Sequence, residues 1–341
     1  MSKEYSALLD KVLNGENLAE VQAHNLMHEL AAGELQAALA GALLAGLRAK
    51  GETADEIRGI ATAMRELAVH PKIPDGAPTV DTVGTGGDGS GSLNLSTGTG
   101  LLAAACGSRV VKHGNRSVSS RSGSADMLES LGMPLPLHEK QAVDCLEATS
   151  FTFLFAPAYH PAMKAVVPIR GALSVRTVFN VLGPLTNPAA PPFQLIGAYS
   201  KDAAKLMADT LSGMPLERAF VVHGEPGWDE ATPAGEFWLY DVTPGNVTES
   251  KRSPEDYGLA RCQPQDLEGA DAEHNAKELV RVFTGDDRGA HRDALLMGTS
   301  LVLEVQGEAK DAKDGVAQAA AAIDDGRAET FLAALREHFE G

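Results

Sequence analysis

The chain of 341 residues carries 29 Lys and Arg against 46 Asp and Glu, which gives a formal net charge of −17. At roughly 150 residues per domain this length suggests about two domains, and 44% apolar with 22% charged residues is typical of a globular protein. The excess of acidic residues argues against a broad basic surface that would bind nucleic acid. An aromatic content of 5% leaves few side chains on which bases could stack, so we expect no nucleic-acid partner.

The first seventy residues have the pattern of helices alone. Leu35, Leu39, Leu43 and Leu47 recur at every fourth position, and Gly51 follows them as a C-terminal stop. A capping-box pattern, Thr53 with Glu56, predicts the start of the next helix. The segment VHPKIPDGAP (69–78) then ends the helical pattern with three prolines.

After this boundary, short β-rich runs alternate with helix-like stretches. The predicted strands are TVDTV (79–83), SRVV (108–111), FTFLF (151–155), FQLIGAY (193–199) and RAFVVHG (218–224). The predicted helices lie around 97–106, 124–131, 160–171 and 201–212. This alternation favours an α/β fold with a mainly parallel central sheet covered by helices. Beyond Gly224 the pattern loosens to about residue 270, and FWLYDVTPG near 237–245 reads as an insertion.

A glycine-rich turn, DTVGTGGDGSGSLNLSTGTG (81–100), follows the first predicted strand. Glycines let a backbone approach a ligand closely, and free N–H groups at the start of the next helix attract phosphate. Gly84, Gly86 and Gly89 satisfy the dinucleotide pattern GxGxxG, but no ribose-binding acid follows about 20 residues later. A surface loop is the alternative, although Asp88 inside the turn favours a metal bridge or a sugar hydroxyl contact.

A second cluster, VVKHGNRSVSSRSGSADMLESLG (110–132), joins another predicted strand to a helix. Lys112, Arg116 and several serines are concentrated there, and cations with hydroxyls suit a multiply phosphorylated ligand. An ordinary basic surface loop is the alternative. His113 taken alone is more typical of a hydrogen-bonded bystander than of a catalyst.

Two further signals are weaker. The adjacent acids Asp229 and Glu230 follow a predicted strand and suit Mg²⁺ beside phosphate oxygens, although one acidic pair among 46 acids says little. Arg170 and Arg176 lie six positions apart, so on a continuous helix they would point in different directions. Either arginine can form a structural ion pair or bind a carboxylate through two hydrogen bonds.

The sequence contains no GxSxG and no HExxH, and its cysteines have no evident catalytic partner. We therefore expect electrostatic and positional catalysis, with neither a covalent nucleophile nor a general base. Three widely separated cysteines favour a reducing compartment. The start MSKEYSALLDK lacks the apolar core of a signal peptide, and no apolar run reaches about 18 residues. We expect a cytoplasmic location and no membrane contact.

Together, DTVGTGGD with NLST, the block KHGNRSVSSRSGSADMLESLG and RTVFNVLGPLTNP resemble the anthranilate phosphoribosyltransferase family of tryptophan biosynthesis over nearly the whole chain. The resemblance implies a mostly N-terminal helical domain (1–75, completed by helices around 160–188) and a larger α/β domain (76–341). It also implies a homodimer that uses Mg²⁺ to transfer the 5-phosphoribosyl group from phosphoribosyl pyrophosphate to the amine of anthranilate, with release of pyrophosphate.

The resemblance also assigns site residues. Phosphoribosyl pyrophosphate would contact Gly84, Gly87, Asp88, Ser92, Asn94, Leu95, Ser96, Thr97, Lys112, His113, Gly114, Asn115, Arg116, Ser117, Val118, Ser119, Ser120 and Ser124. Anthranilate would contact Gly84, Asn115 and Arg170, and the metal would be held by Ser96, Asp229 and Glu230.

The chain departs from the family pattern at GALS (171–174), where Gly171 is expected to loosen the helix that carries Arg170, and at GTS (298–300). Two alternatives remain. A pyrimidine nucleoside phosphorylase shares a KHGNR-like loop and a glycine-rich turn but cleaves nucleosides with phosphate. A non-catalytic relative that binds nucleic acid would need basic patches, which the acidic composition does not favour.

Overall fold

Four helices occupy the N-terminal part of the protein, whose computed structural model describes residues 2–117 and 121–340. They are α1 Ser2–Leu13, α2 Glu20–Ala32, α3 Ala37–Lys50 and α4 Ala54–Glu66. The predicted capping box is confirmed: the Thr53 hydroxyl accepts from the Glu56 N–H, and the Glu56 carboxylate accepts from the Thr53 N–H at 2.8 Å. Gly51 follows α3 with φ +91°, as its predicted role as a stop requires.

A seven-stranded sheet forms the centre of the remaining chain, in the order β3-β2-β1-β4-β5-β6-β7. Its strands are β1 Thr79–Gly84, β2 Arg109–Gly114, β3 Phe151–Phe155, β4 Phe193–Gly197, β5 Arg218–Gly224, β6 Phe237–Thr243 and β7 Asn246–Arg252. The first five pair in parallel. The predicted mainly parallel sheet is therefore confirmed.

The last two strands correct the sequence analysis, which treated residues 237–245 as an insertion. β6 pairs antiparallel with β5 and with β7, so this segment extends the sheet as a hairpin. The hairpin turns at Gly245, whose φ of +73° is in the left-handed region. β7 is mostly exposed and forms the edge of the sheet, so it lacks the apolar alternation by which strands are recognised.

Helices cover the sheet. They are α5 Leu95–Ala105, α6 Ser124–Ser130, α7 Glu139–Thr149, α8 Ala156–Tyr159, α9 Val167–Leu173, α10 Phe179–Leu182, α11 Lys201–Ser212, α12 Ala272–Phe283, α13 Ala290–Gln306, α14 Ala312–Asp324 and α15 Arg327–Glu340. The helix predicted around 160–171 is divided into a 3-10 turn at Pro161–Ala165 and α9. Pro168, at the start of α9, lacks the N–H that a continuous helix would use there.

Two apolar cores lie on the two faces of the sheet. One combines α5, α6, α7 and the C-terminal helices with side chains such as Val110 and Phe153. The other combines α1 to α4 with α11 and with sheet residues such as Ile196, Val221 and Tyr240. Residues from the 166–185 region belong to this second core. The helical part and the sheet therefore bury apolar surface together.

The departure at GTS has a packing consequence. Gly298 lies on α13 where this helix meets α5, and a Cβ there would collide with the Thr99 hydroxyl. A larger residue would force the two helices apart, so glycine sets their close approach. Among residues 2–117 and 121–340, no helix is both long and apolar enough to span a lipid bilayer.

Candidate active site

A cavity of about 600 Å³ opens at the carboxyl ends of the parallel strands. It lies beside β1, where the strand order reverses between β1 and β4. Open α/β sheets bind ligands at such a switch point because the loops after the two strands diverge there and leave a crevice. The fold thus places the cavity, which we call the cleft, next to the glycine-rich turn.

Residues 84–94, the part of the glycine-rich segment between β1 and α5 that is called the glycine-rich turn from here on, run along one wall of the cleft. Gly86, Gly87, Gly89 and Gly91 all have φ between +62° and +74°, a left-handed conformation that side-chain-bearing residues rarely adopt. A Cβ at Gly197, at the end of β4, would overlap the Asp229 carbonyl oxygen. Glycine at these points lets the turn and the loop after β5 come together.

Asp88 joins the turn to that loop. One oxygen of its carboxylate accepts from the Ser90 N–H at 3.1 Å, and the other accepts from the Asp229 N–H at 3.2 Å. The carboxylate therefore organises the turn from within and still lines the cleft.

Asp229 is buried beside the turn, with 7% of its surface exposed. Its Oδ2 accepts from the Gly86 N–H at 2.6 Å. Burial and the nearby Asp88 carboxylate raise the pKa of Asp229 to about 7. This carboxylate shapes the turn, at a position where burial disfavours its charged form.

The side chain of Glu230 lies against the N-terminal end of α5. Its Oε1 accepts from the Ser96 N–H at 3.1 Å. Burial and the neighbouring Asp229 raise the pKa of Glu230 well above its ordinary value. Free N–H groups were predicted at this helix start, but the N–H of Ser96 donates to a carboxylate instead.

Lys112 acts from inside the fold. It is 1% exposed, and its Nζ donates to the Thr82 carbonyl and to the Ser96 Oγ, the latter at 2.7 Å. Burial lowers the pKa of Lys112, while Asp81, Glu230 and Asp229 oppose that shift. Ser96 lines the cleft, so Lys112 supports this wall from inside the fold. The glycine-rich turn also reaches the segment before α6, because Asn94 Nδ2 donates to the Ser122 carbonyl at 3.1 Å.

His113 faces away from the cleft. Its Nδ1 lies 3.2 Å from the Gly183 carbonyl oxygen, and its ring packs edge-on against His160 at 5.1 Å between centroids. Burial lowers the pKa of His113 to about 3, so this imidazole is neutral. The interpretation of His113 as a hydrogen-bonded bystander fits this geometry.

Arg116 is engaged by acids of α6. Its guanidinium bonds to Asp126 at 2.9 Å and to Glu129 at 2.5 Å and 2.6 Å. Arg121, in contrast, lines the cleft and has no ion pair or hydrogen bond with the described residues. The cleft is otherwise acidic, since Asp88, Asp229, Glu230 and Glu268 line it.

The two arginines of the 169–188 segment do not share a continuous helix. α9 ends at Leu173, and Ser174 adopts φ +52°. The Arg170 guanidinium lies over the Phe179 ring at 5.2 Å, and burial lowers its pKa. Arg176 lies over the Tyr199 ring at 4.4 Å and donates to the Gly87 carbonyl at 3.2 Å. It thus braces the glycine-rich turn, a role that the sequence did not reveal.

The cleft brings together a large part of the predicted residues. Those that line it are Gly84, Gly87, Asp88, Ser92, Asn94, Leu95, Ser96, Thr97, Ser124, Asp229 and Glu230. Those that do not are Lys112, His113, Gly114, Asn115, Arg116, Ser117 and Arg170. Val118, Ser119 and Ser120 lie outside the described residues, so their predicted contacts stay predictions.

A third wall of the cleft was not predicted from the sequence. Glu268, Gly269, Ala270 and Asn275 line the cleft, because the Gly269 N–H donates to the Gly91 carbonyl at 2.8 Å. Asn275 Nδ2 donates to Asn94 Oδ1 at 2.8 Å. No local motif marks this segment, so only tertiary structure reveals it. Arg121 was also missed, although it lies in the same block as Arg116.

Comparison with known proteins agrees with this architecture. The chain matches the "Glycosyl transferase family, a/b domain" over residues 76–329 and the "Glycosyl transferase family, helical bundle domain" over residues 6–68. It is 43% identical to the anthranilate phosphoribosyltransferase of Rubrobacter xylanophilus over 327 residues, which covers 96% of this chain and 94% of that protein.

Two solved structures are similar over nearly their full length. The crystal structure of anthranilate phosphoribosyltransferase from Thermus thermophilus aligns with TM-score 0.91 and 40% identity, covering 98% of this chain and 99% of that one. The enzyme from Saccharomyces cerevisiae, in complex with phosphoribosyl pyrophosphate and Mg, aligns with TM-score 0.90 and 25% identity, covering 100% and 99%.

Proposed function

The chain belongs to the anthranilate phosphoribosyltransferase family, and from that premise we propose what its cleft does. It transfers the 5-phosphoribosyl group of phosphoribosyl pyrophosphate to the amine of anthranilate and releases pyrophosphate. The observation that carries this function is the convergence of the glycine-rich turn, the Ser122–Ser124 segment and the Asp229–Glu230 pair on one cleft, in a chain 43% identical to a relative of that name.

The residues present suit Mg²⁺. Asp229 and Glu230 offer carboxylate oxygens and Ser96 a hydroxyl, and Mg²⁺ prefers such oxygen ligands. Burial and the neighbouring carboxylates raise the pKa values of both acids, and a divalent cation bound beside them would favour their charged forms. Bound there, Mg²⁺ would neutralise charge on the pyrophosphate. The yeast relative with Mg bound supports this proposal.

We place phosphoribosyl pyrophosphate along the glycine-rich turn, with the Ser122–Ser124 segment opposite. Backbone N–H groups and hydroxyls can bind phosphate oxygens from both walls. Arg121 is the cation free to reach a phosphate among the described cleft residues, so we add it to the predicted set. Lys112 would act indirectly, by holding the Ser96 hydroxyl in place.

The chemistry requires no covalent intermediate. Departure of pyrophosphate builds positive charge on the sugar and negative charge on the leaving group, and fixed donors stabilise the latter. The aromatic amine of anthranilate is uncharged at neutral pH and attacks as it stands: the new C–N bond forms as the C–O bond to pyrophosphate breaks, and the proton that the amine then loses passes to the departing pyrophosphate or to water. The task of the chain is then to hold the amine in line with the anomeric carbon, and orientation can contribute several kcal/mol.

For anthranilate we propose contacts with Gly84, Asn115 and Arg170. Arg170 lies outside the cleft lining, half-buried over Phe179, and a guanidinium suits the carboxylate of anthranilate. We expect Arg170→Ala to raise the KM for anthranilate roughly tenfold and to leave the KM for phosphoribosyl pyrophosphate within about twofold. Unchanged anthranilate kinetics would remove Arg170 from this assignment. Arg170→Lys, which keeps the charge, is the matched variant.

The activity is tested by the loss of anthranilate fluorescence on addition of phosphoribosyl pyrophosphate and Mg²⁺. Turnover is expected, and chelation of Mg²⁺ should abolish it. If anthranilate were not consumed and phosphate cleaved thymidine or uridine instead, the protein would be a pyrimidine nucleoside phosphorylase. The homodimer, the cytoplasmic location and the division into residues 1–75 (completed by 160–188) and 76–341 are part of the proposal.

A further inference from the structure

A second group of potential ligands lies in the helical part, away from the cleft. His24 and His28 follow one another at i and i+4 on α2, and Glu66 ends α4. The Oε2 of Glu66 lies 2.8 Å from the Nε2 of His24 and 3.1 Å from the Nε2 of His28. One atom from each residue falls within 4.8 Å of the other two. No described residue of this part lines the cleft, so the group is separate from it.

The two helices hold this group in a fixed frame. Gly59 on α4 lies against the backbone of α2, where a Cβ would collide with the Glu20 carbonyl oxygen. Glu20 also pairs with Arg58 at 2.8 Å. The contact between His28 and Glu66 lies eight residues further along both helices, so α2 and α4 run parallel in one register. Close backbone contact of this kind leaves the two helices little freedom to separate.

The spacing of the three ligand atoms suits a tetrahedral ion. Zn²⁺ binds imidazole nitrogen and carboxylate oxygen at about 2.0–2.2 Å, so neighbouring ligand atoms lie roughly 3.3–3.5 Å apart around it. The two nitrogen–oxygen distances of 2.8 Å and 3.1 Å are a few tenths of an ångström shorter. Small rotamer adjustments would therefore admit an ion among the three atoms.

The donor chemistry selects the kind of ion. Two imidazoles and one carboxylate favour Zn²⁺ and its transition-metal neighbours over Mg²⁺, which prefers oxygen ligands alone. The Nδ1 of His24 lies 3.4 Å from the Asn25 Oδ1, and a partner on the second nitrogen orients a metal-binding imidazole. In the absence of metal, each imidazole must turn an N–H toward the same carboxylate oxygen. When a divalent ion binds at the two Nε2 atoms, each neutral imidazole carries its single proton on Nδ1, and the ion takes the place of the two N–H groups beside the Glu66 oxygen.

A comparable group elsewhere lacks this character. Glu278, Asp287 and His291 also place one ligand atom each within 4.8 Å of the others. Arg281, however, lies 2.9 Å from the Glu278 carboxylate, and the Gly289 N–H donates to Asp287 at 2.7 Å. These acids are already compensated by a cation and a backbone donor. The second group therefore serves as a control rather than as a candidate.

We propose that His24, His28 and Glu66 form a binding site for Zn²⁺ that links α2 to α4, with water as the fourth ligand. The proposal stands independently of the transferase reaction, since it uses no residue of the cleft. The ion would join the middle of α2 to the C-terminal end of α4.

The test is a titration of the untagged, metal-stripped full-length protein with Zn²⁺ by calorimetry, in excess Mg²⁺. We expect one equivalent to bind, and His28→Ala to weaken that binding at least about tenfold. His291→Ala, in the control group, should leave it unchanged. Unaltered stoichiometry and affinity in a His24→Ala/His28→Ala double variant would overturn the proposal.

Two further measurements keep the result decisive. Glu66→Gln preserves shape and is half-exposed at its side chain, so it reports on binding even if a histidine variant unfolds. Tetrahedral Co²⁺ absorbs visible light, and the wild-type spectrum should disappear in this variant. Asp229→Asn should retain the Zn²⁺ equivalent. Its loss in Asp229→Asn would show that the ion had bound in the cleft and would likewise overturn the proposal.

Discussion

The two turns that follow β1 and β2 contribute to the cleft in opposite ways. The glycine-rich turn (84–94) carries no cation, yet it lines the cleft along much of its length. The second turn, which runs from Gly114 toward α6, begins beside two cations, but Lys112 is buried and Arg116 is bound by acids of α6. The difference indicates that the ability to bind an anion depends on which polar groups the fold leaves without a partner. The number of cations that the sequence places near the cleft matters less.

The largest effect is expected where the glycine-rich turn depends on an acid. Asp229→Asn removes the charge beside the Gly86 N–H and one proposed metal ligand, so kcat/KM should fall by about 100-fold. Steady-state assays of anthranilate consumption at several Mg²⁺ concentrations measure it. Glu225→Gln, exposed at the start of the same loop, is the control and should keep full activity. Equal activity in the Asp229→Asn and Glu225→Gln variants would mean that the glycine-rich turn does not depend on Asp229.

The second turn should show its internal role as a loss of stability. Lys112→Met leaves Asp81 and Glu230 without their buried cation, and breaking such an arrangement costs about 3 kcal/mol. Urea unfolding followed by circular dichroism gives the free energy of unfolding. Lys140→Met, at an exposed position on α7, is the matched variant and should change stability little. An unchanged free energy of unfolding in Lys112→Met would mean that the buried charge of Lys112 does not stabilise the fold.

The contrast between paired and unpaired arginines can be tested within the second turn. Arg121→Ala should raise the KM for phosphoribosyl pyrophosphate roughly tenfold, since a hydrogen bond to a charged group contributes about 1.5–3 kcal/mol. Arg116→Ala should raise it less, because Asp126 and Glu129 already bind that side chain. Initial rates at saturating anthranilate distinguish the two. The opposite ranking would restore Arg116 as the main cation for this substrate.

The most gradual effect is a pH dependence of stability to which His113 contributes beside its neighbour His160, whose pKa burial lowers to about 4. Burial lowers the pKa of His113 to about 3, so between about pH 6 and pH 4 the unfolded chain binds a proton that the folded chain does not. The free energy of unfolding should therefore fall as pH falls, and His113 contributes up to about 1.4 kcal/mol per pH unit to that slope.

Denaturant titrations at pH 6.5, 5.5 and 4.5 measure this slope. His113→Gln should flatten it, whereas His138→Gln, at an exposed position, should reproduce the wild-type curve. A wild-type slope that His113→Gln leaves intact would place the responsible proton elsewhere.

Local patterns predicted the elements whose signals are contained in adjacent residues. The capping box at Thr53 and the parallel strands β1 to β5 followed from spacing and apolar content alone. The edge strand β7 did not, because its stability comes from pairing with β6 rather than from its own side chains. The break between Ala165 and α9 was missed because the apolar pattern continues through Pro168.

The candidate site was predictable where a motif carried its own chemistry. Asp88 was indicated by its own surroundings, because an acid inside a glycine-rich turn suggests a metal or sugar contact. The Asp229–Glu230 pair says little by itself, and the family resemblance assigned it to the site. Asn275 was not, since its contact with Asn94 spans 181 positions and depends on the packing of α12. The pairing of Arg116 with α6 likewise required the fold, because the sequence shows charges but not their partners.

The shared core of the helical part and the sheet bears on how this chain can be divided. The boundary between the two family matches lies in the proline-containing segment 69–78, which is where the chain would be divided to produce the two parts separately. Leu26, Leu43 and Ile60 nevertheless share one buried cluster with Ile196 and Val221. Fragments produced separately would each expose this apolar surface to water, so we expect that they must be co-expressed to give an active protein.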